Sequence, residues 1–194
     1  MTQTLWKPFT RWMAASTLLS SCQSVLVTEA MLHVLMADTA GYQVLNYVGR
    51  DVLGQLGSLC VMMGLTKQID RHPKKFLLFS HALQQCAVVS VLLTPSLPSH
   101  WFLPVAAFSN VCLNVSFMGF GSISAKCINH FSREQNNVGE LYSKLTVQGT
   151  LASSLGLSLG MLLSKSALVS PEAACMVLGG ARILSYQKAV SKVL

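Results

Sequence analysis

Residues 101–125 read WFLPVAAFSNVCLNVSFMGFGSISA, a run of 25 residues without a charged side chain. A helix needs roughly 20 consecutive apolar residues to cross the hydrocarbon core of a bilayer. Because this run exceeds that length, we predict that it forms a membrane-spanning helix. A water-soluble domain would have to bury the whole run in a single core.

The composition of the rest of the chain agrees with this prediction. Apolar residues make up 52% of the 194 positions and charged residues 11%, whereas soluble domains carry about 25% charged residues. The net charge is +7, but the basic residues lie between apolar runs and form no stripe with aromatic residues, which argues against nucleic-acid binding. We therefore predict an integral membrane protein.

The apolar runs predict an all-α fold, a bundle of about six transmembrane helices forming a single domain over 1–194. Between the third and fourth runs lies a short Pro/Ser segment, Thr94–Ser99, which predicts a tight hairpin because proline ends helices. Twelve of the 14 Lys and Arg residues fall on one side of the predicted bundle, which places both termini in the cytosol. The predicted spans are 12–37, 42–66, 76–97, 101–123, 145–163 and 170–187.

The second span carries most of the polar residues that are candidates for function. Arg50 and Asp51 are costly inside a membrane, and such residues either serve a function or tie helices together through buried hydrogen bonds. Leu45, Val48, Val52, Leu56, Leu59 and Met63 form the opposite, lipid-facing side. We predict that Arg50 points into the bundle, because its face of the helix carries Gly54, Gly57 and Gly64. Asp51 is an awkward partner for it, since consecutive residues point about 100° apart around a helix. The expected partners are therefore Glu29, Asp70 and the amides of the third and fourth spans. The candidate functional or bundle-interior polar residues are Asn46, Arg50, Asp51, Gln55, Asn110 and Asn114, with Gly54, Gly57 and Gly64 on the Arg50 face.

Two further patterns concern helix packing and the segment between the second and third spans. Ala152, Gly156 and Gly160 form a small-residue stripe of the kind that lets helices approach closely. We interpret residues 64–75 as a cytosolic loop whose Asp-Arg-x-x-Lys-Lys core is similar to a loop of major facilitator transporters, so the bundle resembles one half of such a transporter. The charged residues of this loop are Asp70, Arg71, Lys74 and Lys75.

Catalytic and metal-binding patterns are missing from the sequence. The six cysteines are far apart and form no CxxC pair, so we expect neither a metal site nor a redox motif. We find no phosphate-binding loop or nucleophile elbow, and we predict a protein without cofactor that is not an enzyme.

Several short motifs, taken in order, resemble the ROOT UV-B SENSITIVE (RUS) family of eukaryotic membrane proteins over residues 24–192. Arg50–Gly57, RDVLGQLG, is similar to the family's Lys-Asp-x-x-Gly-x-x-Gly signature. The family's upstream segment and its soluble C-terminal region have no counterpart. The resemblance implies roles at organelle membranes, in auxin transport and in vitamin B6 homeostasis. The other matched positions are Val27–Leu32, Asp70, Lys74, Lys126, Asn136, Asn137, Lys144, Gln148 and Tyr186–Val190.

Two functions follow as hypotheses. One is a transporter-like module for a small molecule, completed by a second copy or by another family member. The alternative is a membrane scaffold or adaptor that acts through protein partners. Polar residues that converge from several spans would favour transport, and dispersed polar residues would favour the scaffold. We expect a multi-pass protein in contact with membrane lipid, in a membrane such as that of a plastid or mitochondrion.

Overall fold

The computed structural model describes residues 2–37, 42–132, 137–165, 170–191 and 193, and the side chains of all of these except 2–4, 33–37, 42–47, 66, 68, 70 and 99. Six α-helices fill these ranges, and no strand occurs in them. The predicted all-α fold is therefore confirmed. The helices are α1 (Thr2–Ala37), α2 (Tyr42–Arg71), α3 (Pro73–Leu93), α4 (Phe102–Ser132), α5 (Val138–Lys165) and α6 (Pro171–Val190).

Prolines set several of the helix boundaries. Pro73 ends α2 at Arg71, because a proline disfavours helical conformation in the residue before it, and it then occupies the first position of α3. Pro171 starts α6 in the same way, and the Ser170 hydroxyl accepts a hydrogen bond from the Ala173 amide. The predicted hairpin between α3 and α4 is confirmed as two short 3-10 turns, Thr94–Ser96 and Ser99–Trp101.

Most helices extend beyond the apolar runs that predicted them. The predicted cytosolic loop over 64–75 is wrong as a loop, because only His72 in this range is not helical. Its charged residues lie at the adjoining ends of α2 and α3. Hydropathy marks only the apolar centre of a helix, whereas backbone hydrogen bonding continues through charged turns at its ends.

Three stretches of the described chain are long and apolar enough to cross a membrane, namely Pro73–Ser96, Phe102–Ser132 and Val138–Lys165. The sequence predicted six such spans. The uncharged run 101–125 forms a helix as predicted: all of it except Trp101, which ends the preceding 3-10 turn, lies in α4.

The helices form two compact units. The first comprises Met1–Leu26 and Ser124–Leu194, and the second comprises Val27–Ile123. In the first unit α5 packs closely on α1: Gly156 lies against the Leu18 carbonyl, Gly160 lies against the Cys22 carbonyl, and the Ser21 and Ser153 hydroxyls are 2.8 Å apart. The small-residue stripe of α5 is thus confirmed as a packing surface.

Two of the twelve basic residues that the sequence assigns to the cytosolic side, Arg182 and Lys188, lie on α6. Arg182 is 4% exposed, buried within the first unit. Lys188 is exposed, with its ammonium 4.7 Å from the centre of the Trp12 ring.

In the second unit, α2, α3 and the first part of α4 pack with the end of α1. Its apolar core includes Met31, Val91, Phe102 and Ala106, and Val27 packs against them. The apolar side of α2 is exposed, as predicted: Val52, Leu56 and Met63 are 50%, 57% and 84% exposed.

Candidate functional site: an ion pair on α2 bridged to α4

The centre of the site is an ion pair between neighbouring residues of α2. Arg50 Nε and Nη2 donate to the same oxygen of Asp51, Oδ1, at 3.0 and 2.8 Å. The Arg50 side chain is 19% exposed and the Asp51 side chain 40% exposed. The pair is therefore partly buried, and the carboxylate remains accessible from outside the unit.

Two other helices contribute to the surroundings of this pair. Asn110 of α4 donates from its amide nitrogen to Asp51 Oδ1 at 3.0 Å, and to the Arg50 carbonyl at 3.4 Å. Arg50 Nη1 lies against the sulfur of Met31, on α1. Asp51 Oδ1 thus accepts three hydrogen bonds, two from the guanidinium and one from the amide. We call Arg50, Asp51 and Asn110 the α2–α4 polar cluster.

The prediction that Arg50 faces its neighbouring helices is confirmed, but the rejection of Asp51 as its partner was wrong. The 100° angle between consecutive residues describes only the direction in which each side chain leaves the backbone. The arginine side chain is long enough to curve around the helix and reach the next residue. Of the expected partners, the amide of Asn110 hydrogen-bonds Asp51 and the Arg50 backbone carbonyl. Glu29 is exposed, and the side chain of Asp70 is outside the described residues.

Two glycines allow α2 and α4 to approach closely enough for this cluster to form. A Cβ at Gly54 would lie 2.6 Å from both Cβ and Nδ2 of Asn110, and a Cβ at Gly57 would lie 2.6 Å from a methyl of Val111. The Asn110 side chain therefore lies directly over Gly54, one turn from Arg50. Gly64, which the sequence placed on the same face, has open space around it and contributes nothing to this contact.

Other predicted members of the cluster lie elsewhere. Gln55 is exposed, so its predicted interior position is wrong. Its Cα is about 100° around the helix from Gly54, on a side of α2 that α4 does not cover. Asn114 lies half-buried one turn beyond Asn110 on α4. The side chain of Asn46 is outside the described residues.

The charged residues of the predicted cytosolic loop do not join the cluster in the described part of the chain. Arg71, Lys74 and Lys75 are exposed at the ends of α2 and α3, and the side chain of Asp70 is outside the described residues. The similarity of this segment to a major facilitator loop stays a prediction.

Apart from Val27–Leu32, the remaining residues of the sequence resemblance that the structure describes belong to the first unit. Asn137 precedes α5, where its carbonyl accepts the Leu141 amide and its side chain hydrogen-bonds Glu140. Lys144 pairs with Glu140 one turn later. Gln148 donates to the Thr10 carbonyl at 3.3 Å, which ties α5 to α1. Lys126 is half-buried on α4 and Asn136 is outside the described residues.

Sequence reasoning missed two buried polar residues of α3, Ser80 and Gln84, which lie close to His81 in the chain. Ser80, His81 and Gln84 are 0%, 2% and 4% exposed. Their signal in the sequence was weak, because short polar residues within an apolar run also occur on exposed faces. Among the described residues, no group of three or more His, Cys, Asp or Glu side chains forms a potential metal site.

We expect Gly54→Ala to lower the free energy of unfolding by about 1–3 kcal/mol, because the new methyl group overpacks against Asn110. The same change at Gly64, on the same helix but in open space, should be neutral or stabilising by up to about 1 kcal/mol. Denaturation of both variants in detergent measures the difference. Equal stability of the two variants would contradict the close α2–α4 contact.

Comparison with known proteins identifies the family of this chain. The model of the vitamin B6 photo-protection and homoeostasis domain matches residues 2–194. The chain belongs to this family. The RUS resemblance drawn from the short motifs is thereby confirmed.

Curated relatives from Arabidopsis thaliana are similar over most of this chain. Protein root UVB sensitive 4 is 24% identical over 163 residues, which cover 80% of this chain and 30% of the relative. Protein root UVB sensitive 3 is 25% identical over 161 residues, which cover 81% and 36%. The chain thus spans about a third of the length of these curated relatives. No solved structure matches the chain.

Proposed function

We propose that the chain is a transporter-like membrane module that passes a small polar molecule of the vitamin B6 class. The observation that carries this proposal is the α2–α4 polar cluster. Residues that ionise within a membrane are costly and mark ion or substrate pathways by default. The family description supplies the class of molecule.

The arrangement of the ion pair favours this role over a purely structural one. A salt bridge that ties two helices together has its charges on different helices, whereas Arg50 and Asp51 are neighbours on α2. The direct tie to α4 is made by the neutral Asn110. A change of the Arg50 rotamer therefore opens the pair without separating α2 from α4. The exposed fraction of Asp51 gives an incoming polar group access to the carboxylate.

We also propose that all six helices cross the membrane, with both termini and the α2–α3 and α4–α5 connections in the cytosol. The uneven distribution of Lys and Arg supports this orientation. A six-helix bundle resembling half of a major facilitator transporter would be completed by a second copy or by another family member. Plastid and mitochondrial membranes are the locations that the RUS resemblance favours. The module moves its substrate without chemical change and needs no cofactor.

Labelling of single cysteines tests the orientation. In a cysteine-free background, we expect His72→Cys and Gly139→Cys to react with an impermeant maleimide from the same side of the membrane, since both positions are exposed at predicted cytosolic connections. Ser96→Cys, exposed in the α3–α4 hairpin, should react from the other side. Labelling of positions 72 and 139 from opposite sides would refute the topology.

Flux measurement tests the function itself. The purified full chain in proteoliposomes should take up radiolabelled pyridoxine above the level of protein-free vesicles. Indole-3-acetate serves as a second probe, because the RUS resemblance also implies auxin transport. Vesicles that take up neither compound would refute the transporter proposal.

A scaffold remains the second candidate, and α5 is the observation that favours it. Leu151, Leu155 and Leu162 of this helix are 64%, 60% and 67% exposed. This side would contact either lipid or a helix of a partner protein. Absence of flux, together with a stable complex recovered from the native membrane, would favour the scaffold.

A further inference from the structure

A buried polar patch on α3 lies apart from the α2–α4 polar cluster. Ser80, His81 and Gln84 are almost fully buried within Pro73–Ser96, one of the three stretches long and apolar enough to span a membrane. Polar side chains in such a helix face neighbouring helices rather than lipid. We call these three residues the α3 polar patch.

Two members of the patch have hydrogen-bonding capacity that the described residues leave unused. Ser80 Oγ and Gln84 Oε1 are buried and have no hydrogen-bond partner in the described part of the chain. Other buried serines behave differently: Ser109 and Ser116 donate to carbonyls one turn earlier on α4. A buried polar group without a partner costs about 1–3 kcal/mol, so its retention points to an occupant that supplies the missing bond.

The neighbouring contacts show which way the patch faces. Ser80 Oγ lies directly against Gly119 of α4, where a Cβ would collide with it. Gln84 is four residues further along α3 and therefore on the same face. The His81 ring stacks on Phe120, with 4.7 Å between ring centres. The patch therefore faces α4, within the second unit.

The patch and the α2–α4 polar cluster are different places on α4. Gly119 is nine residues from Asn110, which corresponds to about 14 Å along a helix. Substitutions in the patch therefore leave the contacts of Arg50 and Asp51 in place. This separation allows the two sites to be tested independently.

We propose that the α3 polar patch binds the uncharged, hydroxyl-bearing part of a small molecule, which donates to Gln84 Oε1 and exchanges a hydrogen bond with the Ser80 hydroxyl. The inference rests on the proposed function and specifies how its substrate is recognised. A bound water offers the same donor chemistry, and the experiment distinguishes the two. Because the patch is almost fully buried, it favours a neutral ligand over a charged one.

The test is binding of pyridoxine, which is neutral and carries three hydroxyl groups, to the detergent-purified full chain. We expect Gln84→Leu to weaken binding about tenfold, and Ser80→Ala to weaken it by a smaller factor, because each removes one hydrogen bond. The controls are Gln55→Leu, an exposed position of α2, and Ser90→Ala, whose hydroxyl donates to the Cys86 carbonyl. Both should bind within about twofold of the wild type. Pyridoxal 5′-phosphate should bind the wild type more weakly than pyridoxine.

Each outcome decides between the two proposals. If the wild type binds pyridoxine and the patch variants bind equally well, the patch does not recognise the ligand, although the proposed function stands. A change in melting temperature without a change in affinity would assign the patch to water and overturn the inference. If Gln84→Leu does not fold, Ser80→Ala gives the same comparison with a smaller change. If the wild type neither binds nor takes up pyridoxine, the proposed function fails for this molecule, and the inference fails with it.

Discussion

Gly156→Ala is expected to produce the largest loss of stability among alanine substitutions at the glycines whose surroundings the structure describes. A Cβ at Gly156 would collide with the backbone carbonyl of Leu18 and approach Ser21 Cβ to 3.0 Å. The Leu18 carbonyl belongs to the helix backbone and cannot rotate away as the end of a side chain can. The added methyl group therefore forces α5 away from α1. We expect a loss of about 3 kcal/mol, at the upper end of the usual range for overpacking.

The matched control is Gly149→Ala, on the same helix but with open space at its Cβ position. Replacing this glycine should be neutral or raise the free energy of unfolding by up to about 1 kcal/mol, because alanine favours helix. Chemical denaturation of both variants in the same detergent gives the comparison. If the two variants are equally stable, α1 and α5 do not pack as closely as the structure shows.

Arg50→Leu is expected to cause the largest loss of transport. The substitution removes the two guanidinium hydrogen bonds from Asp51 and leaves a partly buried carboxylate with only the Asn110 amide. If the ion pair belongs to the pathway, pyridoxine flux in proteoliposomes should fall at least about tenfold, which corresponds to 1.4 kcal/mol. Arg11→Leu, an exposed arginine of α1, should retain wild-type flux.

A double substitution separates a role in transport from a role in stability. Arg50→Leu combined with Asp51→Asn removes both charges and so relieves the uncompensated carboxylate. Its thermal stability should recover towards that of the wild type, whereas flux should stay low. Recovery of both properties would mean that Arg50 only neutralises Asp51. Normal flux in Arg50→Leu would contradict a functional role for the cluster.

If the bundle is one half of a transporter, as we propose, it needs a second half to form a pathway. The chain spans about a third of the length of its curated relatives. Co-purification of two differently tagged copies would show whether the bundle associates with itself. The predictions for Arg50 and Gly156 do not depend on self-association, because each concerns contacts within one unit.

Features that depend on local periodicity were predictable from the sequence alone. Six apolar runs predicted six helices, the Pro/Ser segment near residue 95 predicted the hairpin between α3 and α4, and the small-residue stripe Ala152–Gly160 predicted a packing surface. The exposed apolar side of α2 also followed from a 3.6-residue period. These features require only the positions of residues around one helix axis.

The tertiary structure decided the features that depend on how neighbouring helices are aligned with each other. The partner of Arg50, the position of Asn110 over Gly54 and the outward direction of Gln55 are set by where α4 crosses α2. The burial of Arg182 and the orientation of Ser80 towards Gly119 have the same origin. A helical period gives the direction of a side chain around its own axis, but not the register or crossing angle of a neighbouring helix. Polar contacts have a range of about 3 Å and are therefore determined only when that register is set.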